Sequence, residues 1–397
     1  MMFPDTVSEV SLFAGQTVLL ISPQSWEGLT LSKHHYAVAL SEAGAHVFFL
    51  NPPSGGALRP RITSVPDANV KLIDYRTIMR ARRFLPQRLH DALETVQVSL
   101  IERQIGRNLD VVWSFDPTRF RNLRAFRSNL RVFHAVDRVE ESALRPIGTS
   151  ADVVLSVSRL ILDDFAEVGT AGFRVNHGLS VDFERAARTR LDELARTPGP
   201  SPSPPYKVGY VGNLLHPAID HAAFSRIVTA TPEAEFHIWG PYQYAHLNWK
   251  HSGVPEVVSF IAFLQKRPNV RLHGLTHPRV VAEGLGKMDV LLTCYDSERE
   301  LNRGSNNHKV LEYLSTGKPV VTNHVSEYMD AGIPPGLLSM PGTTDNAELP
   351  GMFRQVIETL DELHRVELQE RRISFALSNT YSGKLREIEG IVGARLR

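Results

Sequence analysis

The segment SNNHKVLEYLSTGKPVV, residues 305–321, reads as a polar loop, then the start of a helix, then a buried strand. The first turn of a helix leaves backbone N–H groups unpaired at the positive end of the helix dipole, so it attracts phosphate. Lys309 adds a cation there, and Glu312 shares a helix face with Lys309 and His308, where its carboxylate can accept both hydroxyls of a ribose. The segment predicts a nucleoside diphosphate site. The alternative is an ordinary helix and strand with Gly317-Lys318-Pro319 as the helix stop.

The rest of the chain alternates short apolar runs with longer amphipathic stretches. In the first half the runs are TVLLI (17–21), HVFFL (46–50), NVKLI (69–73), DVVWSF, LRVFHAV and DVVLSV, with helical stretches near 32–44 and 87–107. In the second half they are YKVGYVG, AEFHIWG, NVRLHG, MDVLLTC and PVVT, with helices near 218–230, 254–266 and 277–286. Strands that are apolar on both faces and separated by helices predict an α/β protein with parallel, doubly wound sheets.

Length and proline content predict the domain division. At 397 residues the chain is too long for one ordinary core, so we expect two domains. The stretch RTPGPSPSPP, residues 196–205, cannot continue a helix or a strand and predicts a linker. We expect an N-terminal Rossmann-like domain over 1–195, a C-terminal Rossmann-like domain over 206–375, and a helical tail over 376–397 that can cross back to the first domain. Two such domains facing each other across a cleft place ligands at the carboxyl ends of their sheets.

The composition argues against several classes of protein. Lys and Arg total 44 against 43 Asp and Glu, so the whole-chain charge gives no support for a nucleic-acid partner. The single cysteine, Cys294, excludes a disulfide framework and a cysteine-based metal site, and it fits a reducing compartment. No run of 18 apolar residues occurs, and the first residues contain no basic region followed by an apolar run. We therefore expect a cytoplasmic protein.

Paired Rossmann-like domains, a basic residue at a helix start followed by Glu312, and the phrase EYLSTGKPVV together resemble the GT-B glycosyltransferases. VGYVGNLLHPAIDHAAFSRIVTATPEAEFHIWG looks like the opening of that family's nucleotide-sugar domain, and ADVVLSVSRLILDDF with NHGLSVDF is similar to its last strands before the crossing. The nearest resemblance is to bacterial exopolysaccharide enzymes, including the membrane-associated glucuronosyltransferase of xanthan assembly. It implies transfer of a hexosyl or glucuronosyl group from a nucleotide sugar to a hydroxyl of a glycan or a lipid-linked saccharide.

Two departures from the family pattern bear on the stereochemistry. Many retaining members carry two glutamates eight residues apart, but the position eight before Glu312 is Gly304. Many also place an Arg and a Lys after the first strand of the second domain, where this chain has Asn213-Leu214-Leu215-His216. Both departures favour an inverting enzyme. Arg303 and Lys309 are then the nearest candidates to neutralise the diphosphate.

The residues expected to bind the nucleotide sugar follow strand ends and helix starts of the second domain. Glycine at a strand end lets backbone approach a diphosphate or a sugar closely, although strand ends also collect glycine for turns. Tyr295 can pack on the nucleobase, and the polar loop over 296–307 can close over the diphosphate or serve as a solvated connector. The predicted binding residues are Gly212, Asn213, Gly240, Tyr295, Arg303, Asn307, His308, Lys309 and Glu312.

Inverting transfer needs a base for the acceptor hydroxyl, and we expect the first domain to supply it. Asp137 directly follows the run LRVFHAV, at the carboxyl end of a predicted strand, and by resemblance it falls on the base of the xanthan enzyme. The alternative is that Asp137 caps a helix starting at Arg138. His134 is the second candidate base because imidazole titrates near neutrality, although its place inside a strand favours packing against a helix.

The loop SPQSWEGLTLSK and the helix after it are expected to shape an acceptor pocket. Trp26 can stack on a sugar ring or serve as a packing anchor. His34 or His35 can reach the acceptor, and the alternative is that both occupy exposed first-turn positions.

No metal and no cofactor is expected. The 16 histidines lack the close paired spacing of a zinc motif, and the pair formed by Asp296 and Glu298 is isolated. The helix dipole with Lys309 and Arg303 would then offset the charge of the diphosphate, which implies a metal-independent reaction.

One region of the chain is strongly basic. Between Arg59 and Arg131 there are 15 basic and 7 acidic residues. Within YRTIMRARRFLPQRL apolar residues are interleaved with five arginines, a combination suited to anionic lipid headgroups, so residues 76–89 are a candidate contact with the inner membrane face. A solvated helix with aliphatic anchors is the alternative.

The sequence thus predicts a metal-independent GT-B glycosyltransferase of polysaccharide biosynthesis that inverts the sugar with Asp137 as base. Two other functions stay open. A nucleotide-sugar 2-epimerase uses the same paired domains without an acceptor, and a non-catalytic scaffold would bind the nucleotide sugar without turnover.

Overall fold

The computed structural model describes residues 10–28, 30–55, 59–66, 68–78, 87–196, 201–243, 254–296, 299, 308–330 and 336–396. The chain forms two compact units. Unit 1 comprises Met1–Asn176 and Tyr381–Arg397, and unit 2 comprises His177–Thr380. Within the described ranges no helix is both long enough and apolar enough to span a bilayer.

The strands and helices follow the alternation expected from the sequence. The described strands are β1 (Thr17–Ile21), β2 (His46–Leu50), β3 (Arg61–Val65), β4 (Val70–Asp74), β5 (Leu109–Ser114), β6 (Ser128–Ala135), β7 (Val153–Ser156), β8 (Gly172–Arg174), β9 (Tyr206–Val211), β10 (Ala234–Trp239), β11 (Val270–Gly274), β12 (Val290–Leu292) and β13 (Val320–Val321). The described helices are α1 (Ser32–Glu42), α2 (Gln87–Ile105), α3 (Glu141–Ser150), α4 (Arg159–Glu167), α5 (Val181–Arg196), α6 (His221–Ala230), α7 (Pro255–Gln265), α8 (Pro278–Leu285), α9 (Lys309–Leu314), α10 (Ser326–Asp330), α11 (Leu349–Glu358), α12 (Leu360–Leu363), α13 (Val366–Leu377) and α14 (Tyr381–Leu396).

Unit 1 is built on an eight-stranded sheet with the order β3-β4-β2-β1-β5-β6-β7-β8. Every side chain of β1 is buried. Val18 and Leu20 lie in the core that α1 and α14 cover, and Leu19 and Ile21 lie in the core on the opposite face. Because successive strand residues point to opposite faces, a strand covered on both sides must be apolar throughout. This accounts for the continuous apolar runs in the first half of the chain.

The edge strand β3 is absent from the sequence prediction. Its sequence, RITSV, is half polar and its side chains are half-buried or exposed. It pairs antiparallel with β4, whereas all other neighbours in the sheet are parallel. Such a strand is defined by its partner rather than by an apolar run of its own.

Unit 2 contains a five-stranded, all-parallel sheet with the order β11-β10-β9-β12-β13. One face packs against α6, α7 and α11, which contribute Phe224, Phe260 and Phe353. The other face packs against helices that include α8 and α9, which contribute Leu285 and Leu314. Both units are therefore doubly wound, as the alternation of runs predicts.

The crossing between the units lies earlier in the chain than the predicted boundary at 195. Helix α5 belongs to unit 2, where Phe183 shares an apolar cluster with Leu285 of α8, and Ala187 shares one with Ile373 of α13. Because the apolar face of α5 is buried there, the proline-rich stretch 196–205 lies within unit 2 rather than between the units.

The C-terminal helix α14 belongs to unit 1. Ile388 shares a core cluster with Tyr36 of α1, and the ring of His35 stacks on that of Tyr381 at a centroid distance of 4.7 Å. The tail predicted over 376–397 is thus divided, because its residues before Tyr381 stay with unit 2.

The Arg119 guanidinium joins the carboxyl ends of neighbouring strands in unit 1. Its Nε pairs with the Asp116 carboxylate after β5, and its Nη2 donates to the Ser22 carbonyl after β1. Its Nη1 donates to the Asn51 carbonyl after β2 at 3.1 Å and to the Tyr75 hydroxyl after β4 at 2.8 Å. Asp116 is 1% exposed. Burial alone would raise the pKa of Asp116, but Arg119 and hydrogen bonds within the turn hold it below its ordinary value.

We expect Arg119→Met to destabilise unit 1 by about 3–5 kcal/mol, because it leaves the buried Asp116 carboxylate without its cation. Denaturant unfolding monitored by circular dichroism measures the loss. Arg121→Met is the matched control, since Arg121 pairs with an exposed carboxylate, that of Glu140, and should cost less than about 1 kcal/mol. Equal effects of the two substitutions on the free energy of unfolding would contradict the conclusion that Arg119 holds the strand ends of unit 1 together.

Candidate functional site

The carboxyl ends of β9, β10 and β11 approach each other through glycines. Gly240 has φ of +134°, and a Cβ there would lie 2.0 Å from the Gly212 carbonyl oxygen, so only glycine fits this close approach. The Gly240 N–H donates to the Gly274 carbonyl at 2.8 Å. After β9 the Asn213 side chain turns the backbone by accepting from the Leu215 N–H at 3.0 Å. The predicted positions Gly212, Asn213 and Gly240 therefore lie together at one edge of the sheet.

Lys309 and Tyr295 meet at the same edge. The Lys309 Nζ donates to the Tyr295 hydroxyl at 3.2 Å and lies 5.6 Å from the centre of its ring. The Tyr295 backbone N–H donates to the Asn323 side chain at 3.2 Å, and its carbonyl accepts from the Asn346 side chain at 2.7 Å. These two asparagines fix the position of the tyrosine after β12.

Helix α9 begins at Lys309 and is held beside β9. The Tyr313 hydroxyl accepts from the Val211 N–H at 2.7 Å, which places the helix next to the strand end that leads into Gly212. The His308 ring precedes the helix and lies edge-on to the His177 ring, with centroids 5.9 Å apart. Lys309 and Tyr295 therefore belong to the same site as the glycines Gly212 and Gly240.

Glu312 lies one turn after Lys309 and is half-buried. Burial raises the pKa of its carboxyl from 4.5 to about 7, and the nearby Lys309 charge opposes the rise. Among the described residues no side chain hydrogen-bonds to this carboxylate. The group is thus placed to accept hydrogen bonds from a ligand.

Asp137 follows β6 at the carboxyl edge of the unit 1 sheet and is exposed. The alternative role as a cap for a helix starting at Arg138 is wrong. Helix α3 begins at Glu141, and its N-cap residue is Glu140. The position of Asp137 therefore leaves its carboxylate accessible from solvent.

His134 lies inside the core of unit 1. It is 1% exposed, and its ring lies 4.9 Å from that of Phe115 and 5.3 Å from that of Tyr36 on α1. It therefore faces a helix, and this burial argues against the predicted role as a base for an acceptor hydroxyl.

Trp26, His34 and His35 all make packing contacts. The Trp26 ring lies edge-on to Phe49 at 5.0 Å and 5.4 Å from the His34 ring. The His34 side chain accepts from the Leu31 N–H at 3.0 Å and contacts the Ser25 carbonyl at 3.0 Å. These contacts hold the loop after β1 against the sheet. The structure thus places Trp26 and His34 as anchors of this loop and His35 against α14.

Two predicted binding residues, Arg303 and Asn307, lie outside the described residues, as does most of the loop over 296–307. In the candidate membrane segment 76–89, positions 79–86 also lie outside them. Within the segment, Leu89 is 48% exposed. Across the described part of the chain, no three His, Cys, Asp or Glu side chains converge on a metal position.

Sequence reasoning missed the residues that position the site. Asn323 and Thr293 join the ends of β12 and β13, with the Thr293 hydroxyl donating to the Asn323 side chain at 3.0 Å. Tyr313 holds α9, and Arg119 joins the strand ends of unit 1. One signal was available, because Asn323 is a polar residue directly after the apolar run PVVT, where strand ends place functional groups.

The chain is similar to solved structures over nearly all of its length. It matches Anabaena HepE in complex with UDP and glucose at TM-score 0.64 and 14% identity, over 96% of this chain and 100% of that chain. It matches sucrose-phosphate synthase from Thermosynechococcus elongatus at TM-score 0.66 and 13% identity, over 96% and 98%. It matches a UDP-forming α,α-trehalose-phosphate synthase from Burkholderia vietnamiensis at TM-score 0.66 and 10% identity, over 96% and 99%. The fold is GT-B.

The GT-B fold confirms the prediction of two Rossmann-like doubly wound domains. At 10–14% identity the likeness shows the fold, and it does not single out an exopolysaccharide enzyme of the xanthan type. No protein-family model matches the sequence, and no curated protein sequence matches it.

We expect Glu312→Gln to stabilise the protein above pH 7. The raised pKa means that the folded state keeps a proton that the unfolded state loses between pH 4.5 and about 7, so the free energy of unfolding falls across this range. The variant lacks this loss and should gain on the order of 2 kcal/mol at pH 8. Thermal unfolding at pH 4 and pH 8 checks it, with the exposed Glu362→Gln as control. A difference in stability between wild type and variant that is the same at both pH values would contradict the raised pKa of Glu312.

Proposed function

We propose that this protein is a glycosyltransferase that moves a sugar from a nucleoside-diphosphate sugar to an acceptor hydroxyl. The observation that carries the proposal is the cluster at the carboxyl edge of the unit 2 sheet. There the Lys309 ammonium, the Tyr295 ring and the half-buried Glu312 carboxylate lie beside the glycine backbone of β9 and β10. A cation, an aromatic ring and a carboxylate are the groups that a diphosphate, a base and a ribose need.

The similarity of the whole chain to GT-B structures supports a sugar-nucleotide ligand. HepE was solved with UDP and glucose and with UDP-glucose, and the trehalose-phosphate synthase is UDP-forming. A UDP-sugar is therefore the first donor to test, and the transferred group is of the hexosyl or glucuronosyl type.

Each candidate residue of unit 2 has a role in binding the charged donor. The Lys309 ammonium offsets the negative charge of the diphosphate, which grows as the bond from the anomeric carbon to the phosphate oxygen breaks. Glu312 accepts hydrogen bonds from the ribose hydroxyls, and Gly212 and Gly240 let the backbone approach the phosphates. Helped by Arg303, this set acts without a metal ion.

Asp137 acts as the base for the acceptor. Its carboxylate takes the proton from the acceptor hydroxyl, whose oxygen bonds to the anomeric carbon as the nucleoside diphosphate leaves with the electron pair. Attack from the face opposite the leaving group inverts the anomeric configuration. Two observations support this choice: Asp137 is exposed at a strand end, and the position eight residues before Glu312 is Gly304 rather than a glutamate.

The acceptor we propose is a glycan or a lipid-linked saccharide of polysaccharide biosynthesis, as in the enzymes that the sequence resembles. The protein would bind such an acceptor in the cytoplasm or at the inner membrane face. The basic and apolar residues of the 76–89 segment favour the membrane face.

We expect Lys309→Met to weaken binding of UDP-sugars by about 10- to 100-fold, because a charge-assisted contact to phosphate is lost. The thermal shift caused by UDP-, GDP- and dTDP-sugars measures binding, since a ligand of the folded state raises the melting temperature. The exposed Lys287→Met is the control of equal charge. An unchanged thermal shift in Lys309→Met would remove this lysine from the site.

We expect Asp137→Asn to lower transfer by a few orders of magnitude while the affinity for the nucleotide sugar stays nearly constant. Release of nucleoside diphosphate in the presence of acceptor measures transfer, and analysis of the glycoside product gives the anomeric outcome. Full activity in this variant would exclude Asp137 as the base. An isomerised nucleotide sugar formed without acceptor would instead identify an epimerase.

A further inference from the structure

Helix α1 contacts the carboxyl ends of β5 and β6 in unit 1 through Tyr36. The Tyr36 ring lies 6.0 Å from that of Phe115, which follows β5, and 5.3 Å from that of His134 near the end of β6. The helix connects two parallel strands, so its first turn lies at the carboxyl edge of the sheet. That edge is also where Asp137 lies.

Lys33 is on the first turn of α1, three residues before Tyr36 and on the same face. It therefore lies on the side of α1 whose Tyr36 contacts Phe115 and His134. Lys33 is only 3% exposed. Among the described residues it has no hydrogen-bond or ion-pair partner, although a buried ammonium ordinarily has one.

Two carboxylates, those of Asp116 and Asp137, lie within electrostatic range of Lys33. Asp116 is already paired with Arg119. Burial lowers the pKa of Lys33 from 10.5 to about 8, and Asp137 is the carboxylate that most opposes this shift, ahead of Asp116. His34 is the neighbouring titratable group, and burial lowers its pKa so that it stays neutral near pH 8.

We propose that the Lys33 ammonium stabilises the negative charge that develops on the acceptor oxygen while Asp137 takes its proton. The inference rests on the proposed glycosyl transfer and adds a second catalytic group to the acceptor side. A cation held in a water-poor position and lacking a fixed partner meets developing charge without prior reorganisation. Asp137 and Lys33 then act on the same acceptor hydroxyl, one on its proton and the other on its oxygen.

The electrostatic coupling of Lys33 with Asp137 is tested without an activity assay. Reductive methylation with ¹³C-formaldehyde labels the lysines, and Lys33→Arg identifies the Lys33 resonance in an NMR titration. We expect this resonance to titrate near pH 8 and to move to lower pH in Asp137→Asn, because the carboxylate that raises its pKa is gone. Glu141→Gln removes a neighbouring exposed carboxylate and should leave the titration unchanged. A titration that Asp137→Asn does not alter overturns this coupling.

The catalytic role is tested on the full chain with UDP-sugar and acceptor. Lys33→Met should lower kcat by about 100-fold and leave the affinity for the nucleotide sugar unchanged. The wild type should lose activity above about pH 8 as Lys33 loses its proton. The Lys33→Arg variant keeps its positive charge, so its loss of activity should occur at higher pH. If Lys33→Met has the same dependence of activity on pH as the wild type, the catalytic role is overturned. A lysine with a purely structural role predicts this result, because its protonation does not affect the activity profile.

The outcomes separate this inference from the proposed function. Transfer by the wild type that is lost in Asp137→Asn and retained in Lys33→Met overturns the role of Lys33 alone. No transfer from any nucleotide sugar overturns the proposed function and the role of Lys33 with it.

Discussion

The whole architecture depends on burying both faces of two parallel sheets. A strand covered by helices on both sides favours apolar side chains, so most charged groups lie at the strand ends. At the carboxyl ends, the loops that lead into helices also supply unpaired N–H groups and the positive end of helix dipoles. Every candidate residue placed by the structure except the buried His134 follows a strand or starts a helix at such an edge. This common constraint explains why the site can be sought there at all.

Charge compensation then separates structural from functional groups. Asp116 and Arg119 neutralise each other and use their remaining hydrogen bonds on neighbouring strand ends, so they hold unit 1 together. Lys33 and Glu312 differ, since burial shifts the pKa of each toward neutrality and no described side chain hydrogen-bonds to either charged group. A protein that keeps such groups gives up stability, which is typical of positions that interact with a ligand. The two groups have opposite signs, which suits the roles proposed for them, Lys33 with the negative charge that develops on the acceptor oxygen and Glu312 with the hydrogen-bond donors of a ribose.

The histidines show why residue type alone misleads. His34 and His134 look like candidate acid–base groups in the sequence, yet the first fixes a loop through both ring nitrogens and the second packs among aromatic rings. Imidazole is also an effective packing group when its polar atoms are satisfied or enclosed. Asp137, in contrast, keeps its candidacy because α3 begins four residues further on and leaves its carboxylate unused as a cap.

The sequence by itself determined the fold class, the alternation of strands and helices, and the grouping of Lys309 and Glu312, since periodicity and spacings of three or four residues are local properties of the chain. Tertiary structure alone decided that α5 packs in unit 2 and α14 in unit 1, that RITSV forms an edge strand, and that Arg119 clamps strand ends. It also decided that Lys33 is buried rather than in solvent. Most of these facts depend on contacts between residues far apart in the sequence, such as Arg119 and Ser22, which are 97 positions apart. No local pattern specifies such contacts. Burial of apolar faces selects those contacts, and the selection is made only when the whole core forms.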